Sequence, residues 1–92
     1  MSVLVEVTQD DIDRGRRGKC LACPIARAMN RRTGIAFSVS GSFVRIVGKQ
    51  KMFSLPDCCA AFAYHFDNFR PVAPFSFWFP TVPHYAAQEP VQ

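Results

Sequence analysis

Two groups of residues in this chain have types and spacings that could do chemistry, and the first is cationic. From Arg14 to Arg32, read as RGRRGKCLACPIARAMNRR, lie seven of the eleven basic residues and no acidic one. Guanidinium groups hold carboxylates and phosphates through paired hydrogen bonds, so this concentration points to anion recognition. Arg14, Arg16, Arg17 and Lys19 fall in a stretch punctuated by Gly15 and Gly18, which reads as a basic loop with flexible joints. Arg27 and Arg31 are one helical turn apart, about 5 to 6 Å, and repel each other unless an anion lies between them. With Arg32 they give loop and helix a shared surface for consecutive phosphates, and Asn30 adds a group for a sugar or a base edge. The plainer alternative is that these charges only keep a small protein in solution.

The second group is the thiols. Cys20-x-x-Cys23 together with Cys58-Cys59 invites a four-thiolate zinc reading. Adjacent cysteines on a helix point about 100° apart, so both do not easily face one metal; no metal or other cofactor is expected, and Cys59 reads as a small core residue. Cys23, directly before Pro24, stands where helix-end amides and nearby cations lower a thiol pKa. A dithiol catalyst would need a parallel βαβ crossover around it, and the sequence has none. His65 and His84 complete neither HxxxH nor HExxH, and no nucleophile is matched with a base and an orienting acid. The residues argue against an enzyme.

The elements that must position these groups are marked by their ends. Pro24 suits a first helical turn and Gly34 a left-handed cap, so Cys23 to Thr33 reads as a helix with Leu21, Ile25, Ala28 and Met29 towards a core. Upstream, Val3, Val5 and Val7 alternate as a first strand, and Thr8 with Asp11 forms a capping box for one helical turn that Gly15 stops. Downstream, Ile35, Phe37 and Val39 alternate towards a Gly41-Ser42 hairpin, Phe43 to Val47 returns, and Met52 to Leu55 completes an antiparallel meander. Arg45 falls on its solvent side. Pro56 and Asp57 open a helix whose Cys59, Phe62, Ala63, Phe66 and Phe69 follow helical spacing, and Phe75 to Phe79 is a last short strand able to add to a sheet edge. Trp78 reads as a core or interface anchor, and Tyr85 as a stacking residue.

The expected fold class is therefore α+β, a small antiparallel sheet of three to four strands packed by two short helices. One domain spans residues 1–80, followed by a flexible tail over 81–92. Nearly half the residues are apolar and nine are Phe, which excludes disorder for most of the chain. Residues 1–13 carry Glu6, Asp10, Asp11 and Asp13 without a cation, and the next nineteen carry +7. This dipole favours nucleic acid, or a groove built to bind it, over a neutral partner. No run of eighteen apolar residues is present and the start is soon acidic, so neither a membrane span nor a signal peptide is expected. A cytosolic protein with reduced cysteines and no small-molecule substrate follows.

The segments TQDDIDRGRRGKCLACPIARAMNRR and, later, LPDCC and FDNFRPVAPFSF carry a further impression. Over residues 3 to 79 the chain resembles the small phage-encoded anti-CRISPR proteins that inhibit type I-F systems. The resemblance implies a non-enzymatic inhibitor, cytoplasmic in the bacterial host, that docks on the RNA-guided surveillance complex. There it would contact protein subunits and the guide RNA and prevent target DNA from hybridising. Such proteins share no common motif, so no functional residue transfers by pattern. The site residues expected from the chain itself are Arg14, Arg16, Arg17, Lys19, Arg27, Asn30, Arg31 and Arg32, with Asp10, Asp11 and Asp13 facing the lysines of a DNA channel. Reversing Arg27 and Arg31 together is expected to destroy inhibition and spare the fold. Two other readings stay open: a small basic nucleic-acid-binding phage regulator, and a zinc- or thiol-based interaction module.

Overall fold

The computed structural model describes residues 2–40, 42–50 and 52–80. The expected tail, with His84 and Tyr85, lies outside the described residues. In chain order the elements are β1 (Ser2–Val7), α1 (Gln9–Arg14), α2 (Pro24–Thr33), β2 (Phe37–Ser40), β3 (Phe43–Ile46), β4 (Met52–Ser54), α3 (Asp57–Asp67) and β5 (Phe75–Pro80). The class is α+β, as the alternation and helix-end residues require.

The first helix exists because Thr8 and Asp11 satisfy each other's amides. The Asp11 N–H donates to Thr8 Oγ1 at 3.2 Å, and the Thr8 N–H donates to Asp11 Oδ2 at 2.9 Å. Gly15 ends it, and here absence of a side chain matters: a Cβ would sit 2.6 Å from Pro24 Cδ and 2.7 Å from the Asp11 carbonyl oxygen. The end of α1 and the start of α2 thus touch backbone to ring. In α2, Cys23 is the N-cap, its Sγ accepting from the Ala26 N–H at 3.4 Å, and Gly34 closes the helix at φ 75°. Ile25, Ala26, Ala28 and Met29 are buried.

The strands divide between two sheets. β2, β3 and β4 form the expected antiparallel meander, with Phe37, Val39, Val44 and Ile46 inward. β5 leaves the meander's edges alone and pairs antiparallel with β1, from Ser2↔Pro80 to Val7↔Phe75. The reason is apolar matching: Val5, Val7, Phe77 and Phe79 share one face and are all buried, so the first and last described strands close one core. Phe79 joins the sheets, its ring edge-on to Phe37 at 5.6 Å and to Phe53 at 5.7 Å. α3 adds Cys59, Phe62 and Phe66, with Phe62 against Phe75 at 4.8 Å.

Three expected core or anchor positions are corrected. Leu21 is 63% exposed, because residues 19–22 form a turn, closed by the Ala22 N–H on the Lys19 carbonyl, before the helical phase begins. Phe69 is 77% exposed, since α3 stops at Asp67 and Phe69 takes the left-handed cap position at φ 61°. Trp78, 62% exposed, is no core anchor, because Phe77 and Phe79 occupy the inward phase of β5.

Candidate functional site

The structure supplies the anion between Arg27 and Arg31, and it is Asp11. Arg31 donates from Nη1 to Oδ1 at 2.6 Å and from Nη2 to Oδ2 at 2.8 Å, a two-point grip on a carboxylate with no exposed surface. Arg27 Nε lies 3.6 Å from Oδ1, and its Nη2 lies 3.5 Å from Asp10 Oδ2. Burial alone would raise the Asp11 carboxyl pKa; the Arg31 hydrogen bonds, those from the Thr8 amide and hydroxyl, and the Arg31 charge outweigh it and hold the group below its ordinary value. Asp11 is thus removed from any outward acidic surface, whereas Asp10 and Asp13 remain exposed.

The other predicted cations divide sharply. Arg31 Nη2 also donates to the Glu6 carbonyl at 2.9 Å and Arg32 Nε to the Leu4 carbonyl at 3.1 Å, so both tie α2 to an outer strand of the two-stranded sheet. Arg14 pairs with Asp10 at 2.8 Å one turn away. Arg17 Nε donates to the Phe66 carbonyl at 2.9 Å while its guanidinium covers the Phe66 ring at 4.7 Å and the Phe69 ring at 4.3 Å. Asn30 is exposed on α2. Among the described residues the side chains of Arg16 and Lys19 have no protein partner.

The basic loop is not loose. The Arg16 N–H donates to the Ala22 carbonyl at 2.8 Å, the Gly18 N–H to Asp67 Oδ1 at 3.3 Å, and the Cys20 carbonyl accepts from Val39 N–H at 3.0 Å. The loop is therefore a strut between β2 and the end of α3. That geometry fixes Lys19 beside residues of β3 that the cationic stretch did not include.

A shallow depression of about 430 Å³ is lined by Lys19, Leu21, Ser38, Arg45 and Val47, with Gly48 at the turn. Arg45 and Lys49, next to it, also lack a side-chain partner among the described residues. Acidic residues are missing from 14 to 56 altogether, whereas Glu6, Asp10, Asp13, Asp57 and Asp67 sit on β1, α1 and α3. Among the described residues the depression thus has two cations, exposed Leu21 and Val47, and no carboxylate, a surface for a polyanion that also offers apolar area. Arg45 was legible as a solvent-facing strand position and Lys49 as a turn residue; the meeting of Arg45 with Lys19 was not.

Of the thiols, Cys20 also lines this depression, and with Cys23 it lines an adjoining cleft of about 230 Å³ that continues to Val39, Phe62 and Phe66. Cys23 is corrected: its thiol pKa is pushed up, because burial outweighs the hydrogen bonds from the Ala26 and Ile25 amides that would lower it. Cys59 is pushed up further by burial and by Cys58 beside it, and Cys58 faces solvent while Cys59 does not. No three His, Cys, Asp or Glu side chains gather into a metal-binding group among the described residues. His65 packs against the Tyr64 ring at 5.5 Å. Among the described residues no helix is long and apolar enough to cross a membrane.

Comparison of the chain with protein-family models, with curated proteins and with solved structures returned no match.

Proposed function

We propose that the protein is a non-catalytic inhibitor that docks on a nucleoprotein through the surface around Lys19 and Arg45, with Lys49 on the adjoining turn. The partner is the type I-F RNA-guided surveillance complex, whose capture of target DNA it blocks. The observation that carries the reading is the segregation of charge. The cations of α2 are used within the protein, whereas Lys19 and Arg45, unpartnered among the described residues, meet in a depression whose described lining has no acid. Such a surface raises the local concentration of a polyanion and speeds encounter with it. The choice of partner rests on the resemblance over residues 3 to 79, and the exposed acids of α1 suit the basic walls of a DNA-binding groove.

The test is the double variant Lys19→Glu with Arg45→Glu, both exposed and unpaired among the described residues, in a pulldown with purified surveillance complex, with and without its guide RNA. An unchanged melting profile with at least a tenfold loss of binding, and restored capture of target DNA by the complex, is the expected result. Full retention of binding and blocking overturns the reading. Tight, steeply salt-dependent binding of naked duplex DNA, with none to the complex, would move the assignment to an autonomous regulator.

A further inference from the structure

Phe43 is a large aromatic residue that lies outside the buried core. It lies on β3, the central strand of the meander, facing away from the core that Val44 and Ile46 enter from the opposite face, and 47% of it is exposed. Its cross-strand neighbours are Ser40 on β2 and Ser54 on β4, side chains too short to cover a ring. Two residues along the same face, Arg45 lies between Ser38 and Met52. The outer face of the sheet is thus a row of small hydroxyl residues around one open ring, one guanidinium and one thioether.

We infer that this face binds unpaired nucleotides, with the Phe43 ring as the platform on which a base stacks and Arg45 and Lys49 holding the flanking backbone. The inference deepens the proposed nucleoprotein docking, on which it rests, by naming what part of the partner is touched. Three features select this occupant. Charge complementarity requires a polyanion, since no acidic residue lies on β2, β3, β4 or the turns between them. The same charge opposes a second copy of the chain, which would bring Arg45 and Lys49 against a like surface. A flat sheet face with an exposed ring favours single strands over duplex, because bases inside a duplex have no free face to offer. Serines 38, 40 and 54 are donors and acceptors that tolerate any base edge or sugar, so little sequence preference follows.

The test uses the full chain and two fluorescein-labelled probes, a 12-nucleotide single-stranded RNA of mixed sequence and a 12-base-pair duplex, with binding followed by anisotropy at fixed low salt. The single strand should bind at least tenfold more tightly than the duplex. Phe43→Ala should weaken single-strand binding by roughly 5- to 150-fold, the range that loss of one stacked base produces, while Phe43→Trp keeps it. Since about half of the residue is exposed, Phe43→Ala should melt slightly below the parent protein and Phe43→Trp close to it, and binding is compared at a temperature where all three are folded. Equal affinity for duplex and single strand, or no effect of Phe43→Ala, overturns the inference. If neither probe binds and the surveillance complex is still captured, the stacking platform falls and the docking proposal stands. An acidic peptide that binds in place of RNA overturns it in favour of a protein contact.

Discussion

Arg31 and Asp11 are twenty residues apart in the chain and joined at two points, 2.6 and 2.8 Å, around a carboxylate that has no exposed surface. The pair fastens α1 to α2, and the third hydrogen bond of Arg31, to the Glu6 carbonyl, fastens both to β1. A residue expected to face a partner is therefore a structural tie, and its loss would leave a buried charge with only Thr8 and the more distant Arg27 for company.

Replacing Arg31 by Ala should accordingly destabilise the protein by about 2 to 4 kcal/mol, between the values for exposed and fully buried pairs, since the guanidinium is half exposed. Arg31→Lys, which keeps the charge and loses the two-point geometry, should recover part of this. Urea unfolding of the three proteins measures it; wild-type stability in Arg31→Ala would contradict the tie. Reversal to Glu at this position should cost more still, so the double reversal of Arg27 and Arg31 should lower the melting temperature as well as change the surface charge, and loss of inhibition by it would not isolate a binding role.

The pH dependence follows from the same carboxylate. The folded pKa of Asp11 lies below its unfolded value of about 3.9, so its contribution is complete above the unfolded value and is lost as pH falls through the folded one. Melting temperature should hold from neutral pH to about pH 5 and fall steeply in more acid solution. Asp11→Asn should lower the neutral plateau and flatten the acid slope. Parallel curves for the two proteins would show that other groups carry the acid response.

The end of α3 stores measurable strain. The Phe69 N–H donates to the Phe66 carbonyl at 3.2 Å and the Arg70 N–H to that of His65 at 2.9 Å, a left-handed helix stop in which glycine is the usual residue. Phe69→Gly and Phe69→Ala both lose the ring over Arg17, but only glycine relieves the φ of 61°. The glycine variant should therefore be the more stable of the two by about 1 kcal/mol. Equal stability in a paired denaturation experiment would refute the strain.

Much of the fold was legible because its signals are local. Thr8 and Asp11 satisfy amides three residues apart, Pro24 and Gly34 act on the turn each adjoins, and Ser40 pairs with Phe43 across the hairpin that Gly41-Ser42 suggested. The alternation of Phe75, Phe77 and Phe79 gave the strand and its inward face, yet its partner, β1, begins more than seventy residues earlier. The site was legible as chemistry and misplaced as surface. Arg14 to Arg32 is cationic as a string, and a signal was present that its charge would be consumed: the acids of α1 are separated from α2 by a loop that Gly15 and Gly18 allow to turn back.

The amino-acid sequence by itself determined both ends of α1 and α2, the strand phases and the separation of acidic from basic stretches, since each depends on neighbours within a turn or a pleat. Only the tertiary structure decided which cations remain free. Arg31 reaches Asp11 across twenty residues and Arg17 reaches the Phe66 carbonyl across forty-nine, while Lys19 is set beside Arg45. The physical reason is that an ion pair is fixed by distance in space and by desolvation, and spacing along the chain encodes neither once two elements are joined by a turn.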